Sequence, residues 1–226
     1  MIKFCVLGSG GKGNSTFVEI GKHRFLIDAG FNKKETARRL NIIGRTINDI
    51  QWVFITHNHS DHRQPWAEPL IQWHSGFVND DFKITSFSLS HDEPCVGYTI
   101  QDNDGNKIAI ITDTGCVSDE ALSHLFNCQA LLIESNYDVD TMVWGKYSAD
   151  LQQRVSSIVG HLKNECAAEV VEAVSWSGLK HVVALHLSEA NNNPAMVKFC
   201  LDSVNHYGAH IIITEQSQPS PMITII

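Results

Sequence analysis

The hydrophobic positions in the first quarter of the chain form short runs that are separated by glycines. Each run is rich in β-branched or other apolar residues and has the length of a strand. The last of them is almost continuously apolar, as in a strand that is buried on both faces. The predicted strands are 2–7, 16–20, 24–28 and 52–56.

One helix is predicted between the third and the fourth of these strands. Asn32 is a good N-terminal cap, and Glu35 stands three residues after it, where a capping box places an acidic residue. Leu40 belongs to an apolar helical face, and Gly44 provides the stop.

From residue 82 onward the pattern predicts three strands and then an alternation of helices and strands. The last two of the three strands are joined by the turn-forming residues 102–106. We therefore expect residues 1–226 to form a single α/β domain of mixed β-sheets flanked by helices. The predicted strands are 82–87, 96–101, 107–112, 130–134, 181–186 and 210–214, and the predicted helices are 118–126, 149–159, 164–176 and 194–206.

Composition and charge narrow the function classes. Seventeen basic residues against 25 acidic ones give a net charge of −8, so the chain lacks a general electrostatic footprint for polyanions, and a nucleic-acid substrate must be bound locally. No window approaches the about 18 to 20 apolar residues of a membrane span, and no secretory signal is present, which predicts a soluble, cytoplasmic protein.

The six cysteines have no C-x-x-C pair, so we expect neither disulfides nor thiolate chemistry. The twelve histidines are unusual.

Four potential metal ligands follow the strand predicted at 52–56. His57, His59, Asp61 and His62 stand within six residues, where a solvated loop is the alternative interpretation. Imidazole and carboxylate groups are ligands of zinc, with iron or manganese as less favoured occupants. An H-x-H-x-D-H run can direct alternate ligands at two metals, which together polarise an ester and activate water.

Three further candidates follow other predicted strands. His91, Asp113 and His186 each stand at or near the carboxyl end of a strand, where α/β proteins gather functional groups. Each of them alone would more often be structural. Together with the first motif they predict a centre of two divalent ions, most simply Zn²⁺.

The sequence resembles the metallo-β-lactamase fold family, and within it the YycJ/WalJ-like hydrolases. The resemblance covers essentially the whole length. It is carried by VLGSGGKGNST (6–16), LIDAG (26–30), THNHSDH (56–62), SHDEPCVGY (90–98), ITDTG (111–115), IESNYD (133–138), GHLKN (160–164) and HLSEANNNP (186–194).

The resemblance implies an αββα sandwich with two metals in a groove at the edge of the two sheets and a water between the ions as nucleophile. It implies that one metal is held by His57, His59 and His91, the other by Asp61, His62 and His186, and that Asp113 bridges them. Asp28 would support the His57 loop, as ligating imidazoles usually require.

The chain departs from the resembled family after the first motif. Only 28 residues separate His62 from His91, and Arg63–Trp66 replaces the usual hydrophobic continuation. The rim of the pocket is therefore open, and His74 is interpreted as a surface or rim residue.

Three features favour cleavage of a phosphodiester. His161 and Glu134 resemble the histidine and glutamate of RNase Z, where a histidine oriented by a carboxylate protonates the leaving alkoxide. Segments 160–164 and 188–194 each open a predicted helix, whose N-terminal N–H groups favour phosphate. The alternative interpretation of Asn193 is a simple helix cap.

Several residues near the motifs have two interpretations. Asn14 and Ser15 could support the metal ligands from a tight turn, and Lys12 and Lys163 could contact a phosphate, although solvated lysines are the more usual case. Aromatic residues could stack a base but more often pack in the core or at a rim. These aromatic residues are Trp66, Trp144 and Tyr147.

The leading hypothesis is a di-zinc phosphodiesterase acting on a nucleic-acid or nucleotide substrate, with Asp61, His161 and Glu134 as catalytic residues. Family resemblance favours an exonuclease, whereas acidity and compactness favour cyclic nucleotides. One alternative is a thioesterase or lactamase-type hydrolase, in which His161 and Glu134 have no role. Another is a flavodiiron-like redox module, which His59 in place of a carboxylate argues against. A membrane partner is not expected, and the sequence leaves a homodimer open.

Overall fold

A computed structural model of the protein describes residues 1–73 and 76–226, and the rim position predicted for His74 lies outside them. Within these residues the strands are short and follow one another closely. In chain order they are β1 (Ile2–Gly8), β2 (Ser15–Ile20), β3 (His23–Ile27), β4 (Trp52–Ile55), β5 (Ile71–Trp73), β6 (Phe77–Val78), β7 (Phe82–Leu89), β8 (Cys95–Asp102), β9 (Lys107–Ile111), β10 (Ala130–Glu134), β11 (His181–Leu185), β12 (His210–Ile213) and β13 (Ile223–Ile225).

The strands form two mixed sheets. The first has the order β13-β1-β2-β3-β4-β5, with parallel pairs from β3 to β5 and antiparallel pairs elsewhere. The second has the order β12-β11-β10-β9-β8-β7-β6, in which β9 to β12 are parallel and the β6 to β9 neighbours are antiparallel.

Helices cover the outer face of each sheet. In chain order they are α1 (Lys33–Ile42), α2 (Asp119–Leu125), α3 (Val139–Val143), α4 (Ala149–Val155), α5 (Asn164–Val174) and α6 (Pro194–Ser203), with 3-10 turns at Ile47–Asp49 and Pro65–Leu70. The cap predicted at Asn32 is confirmed, since its side chain accepts a hydrogen bond from the Glu35 N–H.

Apolar side chains fill three layers between these elements. The central layer joins the inner faces of both sheets and includes Phe25 and Phe54 from the first and Tyr98 and Leu132 from the second. A second layer lies between the second sheet and α2, α5 and α6, and a third lies between the first sheet and α1. Because both faces of each sheet are covered, strands such as β1 and β10 are buried along nearly their whole length. The layers confirm the predicted αββα arrangement.

The structure corrects several predicted boundaries. The helix predicted at 149–159 ends at Val155, where the chain turns back so that the His161 N–H donates to the Val155 carbonyl oxygen. The strand predicted at 24–28 ends at Ile27, since Asp28 has a left-handed backbone with φ of 62°. The helices predicted at 164–176 and 194–206 end at Val174 and Ser203.

Within the described residues, sequence patterns missed three short strands and one short helix, in addition to the two 3-10 turns. Strands β5, β6 and β13 have only two or three residues each, too few to show a hydrophobic periodicity. Strand β13 also pairs with β1, which lies at the other end of the sequence. Helix α3 has five residues and depends on Asp138, whose side chain accepts a hydrogen bond from the Thr141 N–H. In the described residues no helix is long and apolar enough to cross a membrane.

Candidate metal centre

The candidate residues meet at one edge of the sandwich because the strands that precede them end there. His57 comes two residues after β4 and His91 two residues after β7. Asp113 follows β9, Glu134 ends β10, and His186 follows β11 directly. Strands β9, β10 and β11 are parallel neighbours, so their carboxyl ends lie at one edge of the sheet. The side chains at these ends therefore lie around a common groove.

Three residues at these strand ends have a backbone conformation that side chains other than glycine rarely adopt. The φ angles of Asp28, Asp113 and His186 are 62°, 54° and 52°. Such a conformation is costly and persists where the surroundings enforce it, often at functional sites. Asp113 and His186 line the groove, whereas the Asp28 side chain turns towards Thr56 and His62.

One group of imidazole nitrogens belongs to His57, His59 and His91. Their candidate ligand atoms lie within 4.8 Å of one another. Nδ1 of His59 lies 3.0 Å from Nε2 of His57 and 3.4 Å from Nε2 of His91. Nitrogens bound to one tetrahedral zinc ion are separated by about 3.4 Å, given metal–nitrogen distances of about 2.0–2.1 Å. These spacings therefore fit a shared ion.

A second group belongs to Asp61, His62 and His186, whose candidate ligand atoms also lie within 4.8 Å of one another. Oδ2 of Asp61 lies 3.7 Å from Nε2 of His62 and 3.9 Å from Nε2 of His186. The spacing is somewhat wider than in the first group, but the set again combines imidazole nitrogens with a carboxylate.

Asp113 is buried between the imidazoles. Its Oδ2 lies 3.1 Å from Nε2 of His62, and its Oδ1 lies 3.1 Å from Nδ1 of His186. The ligand atoms of His57, His62 and Asp113 also form a close group. Asp113 thus contacts the second group and approaches the first through His57.

Glu134 and His161 form a hydrogen-bonded pair beside the metal groups. Nδ1 of His161 lies 2.6 Å from Oε1 of Glu134, which also lies 3.1 Å from Nδ1 of His186. The other oxygen of Glu134 accepts hydrogen bonds from the N–H groups of Thr114 and Leu162. The carboxylate is fully buried, and these contacts fix its position.

Burial and neighbouring charge set the protonation of these groups. Burial lowers the pKa of His57 to about 2, which keeps its imidazole neutral and able to bind a cation. Burial alone would lower the pKa of His186, but Asp113 and Glu134 outweigh it and raise that pKa to about 10, so an ion that binds His186 displaces a proton. Burial would also lower the pKa of His161, but Glu134 raises it.

Asp28 supports the first motif from beneath. Its Oδ1 accepts a hydrogen bond from the Thr56 N–H, and its Oδ2 lies 2.7 Å from Nδ1 of His62. His62 can therefore donate from Nδ1 to Asp28 and keep the lone pair of Nε2 for a cation. Asp28 reaches His57 only through Thr56, whose Oγ1 lies 3.0 Å from Nδ1 of His57.

The turn at 9–15 contacts the candidate ligands and Asp28. Nδ2 of Asn14 lies 2.8 Å from Nε2 of His62 and 3.3 Å from Oδ2 of Asp61. The Ser15 hydroxyl donates to the carbonyl oxygen of Asp28, and the Ser9 hydroxyl accepts from the N–H of His186. This turn holds both halves of the site together.

Sequence reasoning missed Asp92 and Arg154. Oδ1 of Asp92 lies 3.2 Å from Nε2 of His91, and its Oδ2 accepts a hydrogen bond from Arg154. Asp92 stands inside the SHDEPCVGY motif beside His91, so its position was a usable signal. Arg154 lies 62 residues away in the sequence, and only the tertiary fold brings it to the site.

Cys95 also contacts the site. Its Sγ lies 3.8 Å from Nδ1 of His57, in a buried position, and burial raises the pKa of the thiol well above its usual value. The thiol is therefore protonated and unreactive near neutral pH. The cysteines of the described residues are all free, as expected.

At the two helix ends predicted to bind phosphate, some of the N–H groups donate to acceptors within the protein. Asn193 caps α6 by accepting hydrogen bonds from the N–H groups of Ala195 and Met196. Near the start of α5, the Leu162 N–H donates to Glu134 and the Asn164 N–H donates to the carbonyl oxygen of Tyr137. Lys163 at the N-terminal cap of α5 makes no side-chain cap hydrogen bond, so phosphate binding at these helix ends stays a prediction.

The groove forms a cavity of about 480 Å³ over the candidate metal groups. Tyr147 and Arg154 line it on the α4 side, and Lys12 and Glu189 line it elsewhere. Trp66 instead packs against the first sheet and donates to the carbonyl oxygen of Phe31, while Trp144 is 87% exposed. Of the three aromatic candidates for base stacking, Tyr147 lines the cavity.

Fold and site define a class of protein. Residues 8–63 match the model of the metallo-β-lactamase superfamily, and residues 65–187 match that of the β-lactamase superfamily domain. The chain belongs to the metallo-β-lactamase superfamily and is a hydrolase. This fold implies divalent metal ions, and the imidazole and carboxylate groups described above suit them.

Two curated proteins place the chain more closely. It is 30% identical over 234 residues to the exodeoxyribonuclease YycJ of Bacillus anthracis, covering 90% of this chain and 89% of that protein. It is 31% identical over 223 residues to the exodeoxyribonuclease WalJ of Streptococcus pneumoniae D39, covering 84% and 83%. The chain is thus YycJ/WalJ-like, as its motifs indicated.

Solved structures share the fold at lower identity. The metallo-β-lactamase fold protein YhfI of Bacillus subtilis superposes with a TM-score of 0.72 at 15% identity, over 97% of this chain and 98% of that one. The short form of human tRNase Z superposes with a TM-score of 0.66 at 15% identity, over 98% and 100%.

Proposed function

We propose that the protein hydrolyses phosphodiester bonds in nucleic acid with two bound zinc ions. The observation that carries the proposal is the Glu134–His161 pair, with Nδ1 of His161 at 2.6 Å from Oε1 of Glu134 and His161 lining the same cavity as ligands of both candidate groups. The names of the YycJ and WalJ relatives, both exodeoxyribonucleases, support the same class of substrate.

The proposed ligands divide into two sets. One ion would be held by His57, His59 and His91, and the other by Asp61, His62 and His186. Asp113 would contact both ions. When bound, the ions supply Lewis-acid stabilisation of the phosphate and lower the pKa of water. Asp61 is proposed to act catalytically as well, because it is the more exposed of the two carboxylates among the proposed metal ligands and lines the cavity.

His161 is proposed as the general acid. Glu134 holds its Nδ1–H, so the imidazolium proton available for transfer is on Nε2. Because the histidine lines the cavity, Nε2 can donate that proton to the departing oxygen. A thiolate leaving group needs less assistance of this kind. The paired carboxylate therefore favours an alkoxide leaving group over the thioesterase alternative, and the names of the YycJ and WalJ relatives favour a nuclease over the lactamase alternative.

The proposal is tested by metal analysis followed by substrate comparison. We expect two zinc ions per chain and metal-dependent release of nucleotides from single-stranded DNA, with bis-p-nitrophenyl phosphate as a simple diester. Oligonucleotides blocked at either end distinguish exonuclease from endonuclease action. Turnover of 2′,3′- or 3′,5′-cyclic nucleotides in preference to DNA would assign the smaller substrate instead.

The metal content of the variant Asp113→Ala distinguishes a two-ion arrangement from a single-ion site. Because the carboxylate lies between the two proposed ligand sets, its loss should reduce the metal content or disorder both positions. One tightly bound ion in the native protein, together with unchanged metal content in Asp113→Ala, would contradict the proposal.

A further inference from the structure

A second cavity adjoins the metal groove. It has a volume of about 470 Å³, close to the 480 Å³ of the first, and the two cavities share Lys12, Glu189 and Gln216 as a common wall. The second cavity also reaches the back of the metal loop at Gly30. A Cβ at this residue would lie 1.6 Å from the carbonyl oxygen of Asp61, so only glycine permits the approach.

The floor of the second cavity is a rigid pair of planar groups. The guanidinium of Arg39 lies 3.9 Å from the centre of the Phe31 ring. Arg39 also donates hydrogen bonds to the carbonyl oxygens of Leu7 and Gln216 and to Glu35. Because these contacts hold it in place, the cavity exists before any ligand binds.

Two amide side chains offer unused hydrogen-bonding groups to this cavity. The side-chain oxygen of Asn32 caps α1, while its Nδ2 group has no hydrogen bond within the described residues. The Nε2 group of Gln64 donates to the carbonyl oxygen of Ser60, and its Oε1 has no donor there either. The edge of a nucleobase carries both an acceptor and a donor, so it can pair with the Asn32 donor and the Gln64 acceptor.

The Lys12 and Glu189 side chains between the two cavities can separate at a small cost in free energy. Nζ of Lys12 lies 2.7 Å from Oε2 of Glu189, and the two side chains are 70% and 61% exposed. An exposed ion pair of this kind contributes little to stability. Lys12 can therefore exchange Glu189 for a phosphate oxygen of a ligand that crosses the wall. Gln216 stays in place, since it accepts from the Lys12 N–H and donates to the carbonyl oxygen of Gly13.

We propose that this second cavity binds the nucleoside that remains attached to the phosphate during cleavage. The inference rests on the proposed function and adds a subsite to it. His161 and Arg154 line the metal cavity but not the second one, so the leaving group departs on the His161 side. The nucleoside on the other side of the phosphate passes between Lys12 and Glu189 into the second cavity. Its base then forms hydrogen bonds with Asn32 and Gln64.

The experiment compares phosphodiesters that share a leaving group. The zinc-loaded protein is assayed with methyl p-nitrophenyl phosphate and with the p-nitrophenyl esters of thymidine 5′- and 3′-monophosphate. The ratio of kcat/KM for a thymidine ester to that for the methyl ester reports the nucleoside contribution alone. Effects on metals or on the phosphate cancel in this ratio.

Two variants alter the second cavity without endangering the fold. Ser217→Leu places a branched side chain in it from an exposed position, and Asn32→Ser removes the amide donor while retaining a good helix cap. The matched controls are Ser123→Leu on the surface of α2 and Asn193→Ser at the cap of α6. Neither control residue lines the cavity.

We expect Ser217→Leu to lower the ratio about tenfold for at least one thymidine ester, Asn32→Ser to lower it less, and both controls to retain it. Equilibrium binding of the corresponding thymidine monophosphate should weaken in parallel. Unchanged ratios and unchanged binding in both cavity variants would overturn the inference while the proposed function stands. If the native protein cleaves none of the diesters with zinc, the proposed function itself fails.

Discussion

His161 has the contacts of a proton donor but stands outside the two proposed metal groups. Its ring is held by one buried carboxylate, and its other nitrogen is free to face the cavity. We expect His161→Ala to retain both metals and to lose roughly 10² to 10⁴ in rate on a substrate with a poor leaving group, such as DNA. The loss on bis-p-nitrophenyl phosphate should be much smaller, because nitrophenolate departs without a proton.

Glu134→Gln serves as the companion variant, with one qualification from the structure. Glu134 contacts His186 as well as His161, so the variant disturbs a proposed ligand in addition to the general acid. Metal content must therefore be measured beside the rates. Equal, large losses of His161→Ala on both substrates would mean that His161 binds metal or substrate, and the general-acid role would be withdrawn.

At the scale of elements, Glu19 connects three strands and the loop after α1. Its carboxylate on β2 accepts hydrogen bonds from Arg24 on β3 and from Arg45, and it lies 3.5 Å from Nζ of Lys3 on β1. Burial alone would raise the pKa of Glu19, but the bonds from Arg45 and Arg24 outweigh burial and lower it to about 2.

This shift predicts a pH-dependent contribution to stability. Because the folded-state pKa is below the unfolded value of 4.5, the contribution is complete above pH 4.5 and is lost as the pH falls towards 2. Its upper limit is about 3 kcal/mol. Glu19→Gln should therefore lower the free energy of unfolding in urea at pH 7, by an amount that shrinks towards pH 2.

The control for this prediction is Glu172→Gln, a neutralisation at an exposed site on α5. It should change the free energy of unfolding little at either pH, as is usual for surface positions. A difference between the native protein and Glu19→Gln that stayed constant between pH 7 and pH 3 would show that the carboxylate charge is not responsible.

For the whole molecule, the metal site joins the two sheets. The proposed ligands of the first motif follow β4 in the first sheet, whereas His91, Asp113 and His186 follow strands of the second. Ions that bind only the folded state stabilise it by about 3–4 kcal/mol at 100 to 1,000 times their dissociation constant. For a chain of this size, that corresponds to a melting temperature higher by about 10 °C.

We expect a chelator to lower the melting temperature by about this amount and zinc to restore it, whereas magnesium should not, since it favours oxygen ligands. Calorimetry before and after readdition measures both effects. A melting temperature that is insensitive to the chelator, in a protein shown to have lost its metal, would contradict a structural link between the sheets.

The sequence by itself determined the class of fold, the order of most elements and which residues are candidates for binding metal. Covered sheets require nearly continuous apolar strands, and a cluster such as His57–His62 after a strand has few uses other than binding metal. These signals are local, so they can be recognised in the linear chain.

Only the tertiary structure decided the contacts between distant segments. Edge strand β13 pairs with β1 across the length of the chain, and Arg154 reaches Asp92 over 62 residues. The left-handed turns at Asp113 and His186 are enforced by packing, because local preference opposes them. Near the two helix ends expected to bind phosphate, Asn193, Glu134 and the Tyr137 carbonyl accept some of the N–H groups, and composition cannot show which acceptor a donor reaches.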